Sequence, residues 1–307
     1  MMDEPLISII SPVYSVEPYI HEYMHSVLSQ TYANLEIICV ENASPDRCGD
    51  ILDEYTRRDA RLRVVHLDSA GYAKAVNHGL DIATGEYIGF VDPDDWIAPD
   101  YYEHALGLAL RVDADIVISG FYQEHPTRSE IMENAQPIEA VFDDRNAAFR
   151  YGFDADVYKG FRMYLWNKLF RRKLFSRDSK GNDAGGVAGA NTSLRLDPQY
   201  VTGLDTLLTA ECFMRCDRFA YDAKPHYHYR IREGSIIRSA DFAARLGEAA
   251  VLEKLVCELE AKAYDADVVS LLERCHTAYA DRLVAYALST GDEADLEAAQ
   301  SLAGKYR

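Results

Sequence analysis

The chain has 307 residues, 48% hydrophobic and 27% charged, enough for one large α/β domain or one domain with an appended helical part. Its 32 basic residues stand against 50 acidic ones, and the net charge of −18 argues against non-specific nucleic-acid binding and against adhesion to anionic lipid by overall charge. Six scattered cysteines (39, 48, 212, 216, 257 and 275) show neither disulfide nor zinc spacing, the N-terminal residues lack the basic region of a signal peptide, and no run reaches membrane-spanning length, so a cytoplasmic protein is expected.

Residues 6–13 read as a strand with Pro12 near its exit, and 19–30 as a helix with Ile20, Met24, Val27 and Leu28 along one face. A second buried strand, 35–40, runs into Glu41-Asn42-Ala43-Ser44-Pro45-Asp46. The helix 49–59, the strand 62–67, the helix 72–83 and the strand 87–91 follow. Strands alternating with helices across short connections predict an α/β fold with a mainly parallel central sheet flanked by helices. The fourth strand ends in Asp92-Pro93-Asp94-Asp95-Trp96. Pro93 cannot continue a ladder, so three carboxylates crowd into one loop, where their repulsion needs compensation by a cation or by hydrogen-bond donors. Hard oxygen ligands of this kind suit Mg²⁺ or Mn²⁺ partly held by phosphate; a solvated turn capping the next helix is the plainer alternative.

In such sheets ligands bind beyond the carboxyl ends of the strands, which brings together Pro12 and Tyr14, Glu41 and Asn42, and the three aspartates. An aromatic ring able to stack on a base and acids able to accept from base or ribose make a plausible nucleotide pocket. Neither a Gly-x-Gly-x-x-Gly nor a P-loop sequence is present, so a diphosphate here would be held through a metal.

These residues, in this order, resemble glycosyltransferase family 2. The match runs through Pro12-Val13-Tyr14, Glu41 to Asp46, Asn77-His78-Gly79-Leu80, Ala83 to Ile88 and Asp92 to Trp96. It continues through Trp166-Asn167-Lys168-Leu169-Phe170, Gly203 to Leu208 and Tyr229 to Ser235. The resemblance implies the GT-A fold and an inverting transfer from a nucleotide-sugar, a UDP-sugar by preference, to a saccharide or lipid-linked acceptor in bacterial surface-polysaccharide synthesis. It implies Asp94 as metal ligand with Asp92 and Asp95 beside it, Glu41 at the base-reading position, Asn42, Asp46, Pro12 and Tyr14 around the donor, and Asp205 as general base. Trp166, Arg230, Arg232 and Ser235 fall on the acceptor side, and His228 is a candidate late metal ligand. Four positions depart from the family pattern: Glu41-Asn42 for the usual acid pair, Ser15 for an asparagine, Val76 for a basic residue (with Lys74 as substitute phosphate contact), and Leu204 for the first acid before Asp205.

Helix 99–111 and strand 115–120 precede a polar surface excursion, 123–137, and a short helix, 142–151. Residues 179–191, rich in Gly, Ala and Asn, read as a linker or a lid before the helix 205–215, where Asp205 would serve as N-cap with its pKa lowered by helix-end amides. Strands are expected at 219–221 and 226–230. Amphipathic helices follow residue 241, to pack on the catalytic part or pair two subunits. Residues 1–238 are therefore expected as a catalytic domain (1–120 nucleotide-sugar half, 121–238 acceptor half) and 239–307 as a helical extension. The basic island from Lys168 to Arg177 suggests a peripheral contact at the inner membrane face. A non-catalytic nucleotide-sugar-binding subunit is the alternative, and a nucleotidyltransferase is disfavoured because residues 6–19 contain no Lys or Arg.

Overall fold

β1 (Ile7–Val13) is buried along its whole length and pairs in parallel with β2 (Leu35–Glu41) on one side and β4 (Tyr87–Phe90) on the other; β3 (Leu62–His66) extends β2. Successive side chains of β1 leave by opposite faces, and so each face has its own core. Ile7 and Ile9 pack with α1 (Ile20–Leu28), α2 (Cys48–Thr56) and α4 (Tyr101–Val112), whereas Ile10 packs with α3 (Tyr72–Ile82). The computed structural model describes residues 4–132, 139–154, 160–176, 193–232 and 241–306.

Beyond β4 the sheet becomes mixed. β9 (Lys168–Arg171) lies antiparallel between β4 and β6 (Ile116–His125), and β10 (Phe219–Arg230) lies parallel to β6 and antiparallel to β5 (Trp96–Ile97). The order is β3-β2-β1-β4-β9-β6-β10-β5, with β7 (Arg128–Met132) paired to β6 and β8 (Glu139–Phe142) to β10. The order in which successive strands are laid down reverses at β1, with β2 and β3 on one side and β4 on the other, and the crevice at this switch is where the candidate site lies.

Four local expectations change. The polar stretch after residue 122 is a hairpin, because Pro126-Thr127 turns β6 directly into β7. The helix expected at 142–151 begins later, as α5 (Arg145–Phe153), where Asp144 Oδ1 accepts the amide of Asn146 at 2.9 Å. β10 is one strand rather than two, with its register shifted around Pro225, which cannot donate to the ladder. Part of the basic island is not free surface: Lys168 is fully buried and Arg171 pairs with Asp113 and Asp115, while Arg172, which donates to the Gly85 carbonyl, and Lys173, which pairs with Asp115, stay exposed.

Residues 179–191 and Ser235 lie outside the described residues, as does the boundary expected near 238. After it come α7 (Phe242–Ala261), α8 (Ala266–Thr290) and α9 (Glu293–Ala303). Val251, Leu255, Val256 and Leu259 of α7 and Val268 and Leu272 of α8 join the core that also holds Leu207 and Leu208 of α6 (Leu204–Arg215), whereas Ala299 of α9 packs in a separate cluster with α7 and α8. No helix among the described residues is long and apolar enough to cross a membrane.

Gly89 in β4 leaves room for a tyrosine: a Cβ there would overlap the Oη of Tyr102, a ring that is itself fully buried. Gly89→Ala should cost about 1–3 kcal/mol, read as a lower urea midpoint at unchanged slope. An unaltered midpoint would show that the Tyr102 ring can give way.

Candidate functional site

Beyond β4 the chain turns at Pro93, and β10 fixes where the three aspartates go. The Tyr227 hydroxyl accepts the Asp92 amide at 3.1 Å and donates to Asp95 Oδ2 at 2.8 Å, while the Arg230 amide donates to Asp95 Oδ1 at 2.7 Å. Asp95 is 1% exposed with both oxygens satisfied, so it ties the loop to β10 rather than facing a donor. Arg230 completes the tie: its Nε donates to the Asp94 carbonyl at 2.7 Å, its guanidinium lies 4.5 Å over Trp96 and 4.9 Å over Tyr19, and it pairs with Glu22.

The side chains of Asp92 and Asp94 remain half-buried. Asp94 Oδ2 accepts Arg232 Nε at 2.5 Å, an ion pair that supplies the compensating positive charge. Burial, and after it the proximity of Asp94, hold the carboxyl groups of Asp92 and Asp95 well above the usual range; at Asp92 Arg232 opposes this. Among the described residues no three His, Cys, Asp or Glu side chains converge to hold a metal. The chemistry of the donor set fits a hard divalent ion held by Asp94 with Asp92 beside it and otherwise by waters and substrate phosphate, which is how Mg²⁺ and Mn²⁺ are commonly bound.

Asp205 lies opposite this loop. The Gly203 backbone, at φ +76°, takes the N-cap position of α6, and Asp205 is the second residue of the helix, not its cap. Its Oδ1 accepts the hydroxyl of Tyr72, at the start of α3, at 3.0 Å. The expected lowering of its pKa does not occur. Burial pushes the carboxyl up to about 6, against the opposing effects of the Tyr72 hydrogen bond and the Lys168 charge. The Tyr72 hydroxyl is itself pushed far above its usual range by burial and then by Asp205, Asp92 and Asp94, which places all three acids in one electrostatic neighbourhood and keeps Tyr72 a donor.

On the nucleotide side the acids are engaged with the protein. Glu41 is buried, accepts the Ser44 amide at 2.5 Å through Oε1 and meets His66 Nδ1 at 3.3 Å through Oε2; His66 Nε2 reaches Asp53 at 3.0 Å. Asn42 Oδ1 accepts the Gly71 amide at 2.8 Å, just before α3. Asp46 accepts from the Glu17 and Cys48 amides and the Ser44 hydroxyl, and these bonds outweigh burial and hold its carboxyl below the usual range. Pro12 lies within buried β1, Tyr14 is 45% exposed at the rim, and Lys74 is exposed, bound to Asp68 at 2.7 Å and Ser69 at 2.8 Å. Ser15 and Ala43, at the exits of β1 and β2, both have φ +53°, a region asparagine tolerates better than serine or alanine.

His228 stacks between Trp96 (4.9 Å) and Tyr122 (4.6 Å) and its Nδ1 meets Glu124 at 2.7 Å, so it takes a packing position rather than joining the aspartates. Trp166 is buried in a tier of rings, 4.5 Å from Tyr227, 5.2 Å from Tyr229 and 5.0 Å from Tyr164; only the outer two, Tyr164 and Tyr229, are half-buried. Beneath them Lys168 Nζ donates to the carbonyls of Arg162 and Tyr164 (2.6 Å to the latter) and to Asn167 Oδ1 at 2.8 Å. Tyr72 and Lys168 both bear on Asp205, and neither is marked as its partner in the sequence.

A carboxyl raised in the folded state above its unfolded value favours the protonated form on folding. Its contribution to stability therefore improves as pH falls from above 6 towards 4 and is lost above 6. Asp205→Asn should relieve this penalty, raising stability at pH 8 by on the order of 1–3 kcal/mol and hardly at all at pH 4. Chemical denaturation at the two pH values checks it, and a variant no more stable at pH 8 than the parent protein would refute the burial account.

The residues 8–177 match the family model described as Glycosyl transferase family 2. An uncharacterised glycosyltransferase of Bacillus subtilis, EpsJ, is 38% identical over 173 residues, 56% of this chain and 50% of that protein. A putative glycosyltransferase of the same species, EpsH, is 32% identical over 77% of this chain and 64% of its own length, and glycosyltransferase GlyA of Streptococcus pneumoniae is 30% identical over 78% and 32%. The chain thus spans between about a third and two thirds of the length of these relatives. In fold it is similar to residues 1–349 of S. aureus TarS in complex with UDP-GlcNAc (TM-score 0.69, 19% identity, 92% of this chain and 73% of that one). It is also similar to the mannosyltransferase PcManGT of Pyrobaculum calidifontis in complex with GDP-Man and Mn²⁺ (TM-score 0.57, 17% identity, 100% and 83%). The family model covers more than half of the chain: the protein belongs to glycosyl transferase family 2.

Proposed function

We propose that this chain transfers a sugar from a nucleoside-diphosphate sugar to a hydroxyl acceptor in one inverting displacement. The observation that carries the reading is that Asp205, a half-buried carboxylate bonded through one oxygen to Tyr72, shares one electrostatic neighbourhood with the Asp92–Asp94 loop. A base works best with a pKa near ambient pH, and burial brings Asp205 there. Tyr72 holds the carboxylate by one oxygen, Oδ1, and leaves the other to take the proton from the acceptor hydroxyl. As that proton moves to Asp205, the acceptor oxygen forms its bond to the anomeric carbon, and the bond from that carbon to the diphosphate oxygen breaks on the opposite face. The transition state resembles the oxocarbenium ion of glycoside hydrolysis. A divalent ion, Mn²⁺ or Mg²⁺, held by Asp94 with Asp92 alongside, supplies Lewis-acid neutralisation of the leaving diphosphate when bound. Arg232 supplies the charge that compensates Asp94 in this structure; an ion bound at Asp94 would take over that task and leave the guanidinium available to a diphosphate.

Complexes of the two structural neighbours contain UDP-GlcNAc and GDP-Man, and we take a UDP-sugar as the donor. A relative 36% identical over 38% of this chain is a putative teichuronic acid biosynthesis glycosyltransferase of Bacillus subtilis, TuaG, which supports an acceptor belonging to a bacterial surface polysaccharide.

Three outcomes follow. Turnover should rise with pH through about 6 as Asp205 ionises, and Tyr72→Phe, by removing a bond to the charged form, should move that limb to higher pH. Asp205→Asn should lose roughly 10²–10⁴-fold in turnover and keep metal-dependent donor binding, while Asp94→Ala should lose the binding; wild-type turnover in Asp205→Asn would remove it as the base. Arg232→Gln should bind Mn²⁺ more tightly without nucleotide and UDP more weakly with it, measured by calorimetry. Weaker Mn²⁺ binding in that variant would show that the ion pair does not compete with metal.

A further inference from the structure

Glu248, on α7, is a carboxylate with no assigned task and no hydrogen-bond partner among the described residues. The packing of α7 on α6 puts it beside the base. Thr202 Oγ1 donates to the Ala244 carbonyl at 2.6 Å, and a Cβ on Gly247 would lie 3.1 Å from the Thr202 carbonyl oxygen, so the helix backbone comes in close over the residues that lead into α6. One residue further on, a Cβ on Gly203 would meet Glu248 Oε2 at 3.1 Å and the Glu248 Cα at 3.2 Å. The Glu248 carboxylate is therefore pressed against the N-cap of α6, two residues from Asp205. Gly203, with φ +76°, is the residue type that permits both the turn and the approach.

The two carboxyl groups interact. Burial, and after it the charge of Asp205, hold Glu248 up at about 7, with Arg282 opposing. Tyr164 lies in the same neighbourhood, its hydroxyl pushed up by burial and affected in turn by Arg162, Glu248 and Asp205. Glu248 and Asp205 both retain partial exposure, as does the Tyr164 ring. A half-buried carboxylate with another acid beside it and no hydrogen-bond donor among the described residues is unfavourable unless something bonds to it when the site is filled. Two half-buried carboxylates beside the start of α6, with the half-buried Tyr164 ring in the same electrostatic neighbourhood, suit a ligand that carries several neighbouring hydroxyl groups on an apolar ring, which is the chemistry of a saccharide.

We propose that Glu248 binds the acceptor: it accepts a hydrogen bond from a hydroxyl next to the one Asp205 deprotonates, with the acceptor sugar lying against Tyr164. The C-terminal helices thus form one wall of the acceptor subsite. This inference rests on the transferase reading for its ligand, but it concerns acceptor binding alone, and Glu248 takes no part in holding the donor.

The test separates the two. Protein saturated with UDP and Mn²⁺ is probed by saturation-transfer NMR with methyl glycosides of glucose, galactose, mannose and N-acetylglucosamine. The same glycosides are then offered as acceptors with the UDP-sugars, and hydrolysis of those UDP-sugars, in which water replaces the acceptor, is measured alongside. The wild-type protein should give a transfer signal with at least one glycoside. Glu248→Gln should abolish that signal and raise KM for the glycoside by about ten-fold or more, with donor hydrolysis changed less than about two-fold and the melting temperature not lowered. Glu248→Asp should recover part of the binding. The proposal is overturned if Glu248→Gln keeps the wild-type signal and KM, if it loses hydrolysis and transfer in equal measure, or if no glycoside gives a signal with the wild-type protein. Should the wild-type protein bind glycosides through Glu248 yet neither bind nor hydrolyse any UDP-sugar, the donor assignment falls and the acceptor subsite stands.

Discussion

The arrangement depends on keeping like charges together in a poorly solvated wedge between two halves of a sheet. Asp92, Asp94, Asp95 and Asp205 share one electrostatic neighbourhood, and the fold compensates each in a different way. Asp95 is satisfied by a phenol and a backbone amide, Asp94 by the guanidinium of Arg232, and Asp205 by the hydroxyl of Tyr72. None of these partners lies near its acid in the sequence. β10 supplies those of Asp94 and Asp95 through Tyr227, Arg230 and the residue Arg232 just beyond its end, and α3 supplies that of Asp205. The loop therefore exists only because the last strand of the sheet has found its place.

The manner of compensation sets what each acid can do. An acid with both oxygens bonded, as in Asp95, is a fastening. An acid neutralised by a side-chain cation, as in Asp94, can exchange that cation for another, because a guanidinium on a long stem is released more readily than a backbone amide. An acid given a single neutral donor and then buried, as in Asp205, is left with a raised pKa and a free oxygen. Burial thus acts on Asp205 in two directions at once, lowering stability above pH 6 and bringing the carboxyl to a useful basicity.

What could be read from the sequence was what repeats or clusters locally. β1, β2 and β4 announce themselves as short apolar runs closed by polar turns, and Asp92-Pro93-Asp94 is conspicuous because a proline between acids ends a strand in a charge cluster. Contacts that join distant parts of the chain were not readable. The Tyr72–Asp205 bond spans 133 positions, and nothing in a tyrosine at the start of an amphipathic helix marks it as a partner for a base. Asp205 reads as a helix cap because the left-handed turn at Gly203, which takes that place, depends on the close approach of α7. Lys168 reads as surface charge because its burial is made tolerable by the carbonyl groups of Arg162 and Tyr164 and the side chain of Asn167, a cradle visible only once the preceding loop folds back.

The geometry of β10 also links the two ends of the site. Its odd-numbered residues Tyr227 and Tyr229 stack on Trp166, and through it on Tyr164, while His228 faces the other way and stacks on Trp96, directly after Asp95. Tyr227 belongs to both sets, since its ring is in the aromatic tier and its hydroxyl holds the Asp92 amide and the Asp95 carboxyl. A displacement of the aspartate loop must therefore either break these two hydrogen bonds or carry the Tyr227 ring with it. Packing at interior density transmits such a shift to Trp166 and on to Tyr164 rather than absorbing it. The loop that would receive a metal and a diphosphate and the Tyr164 ring, in the electrostatic neighbourhood of Asp205 and Glu248, are in this way joined through one packed unit.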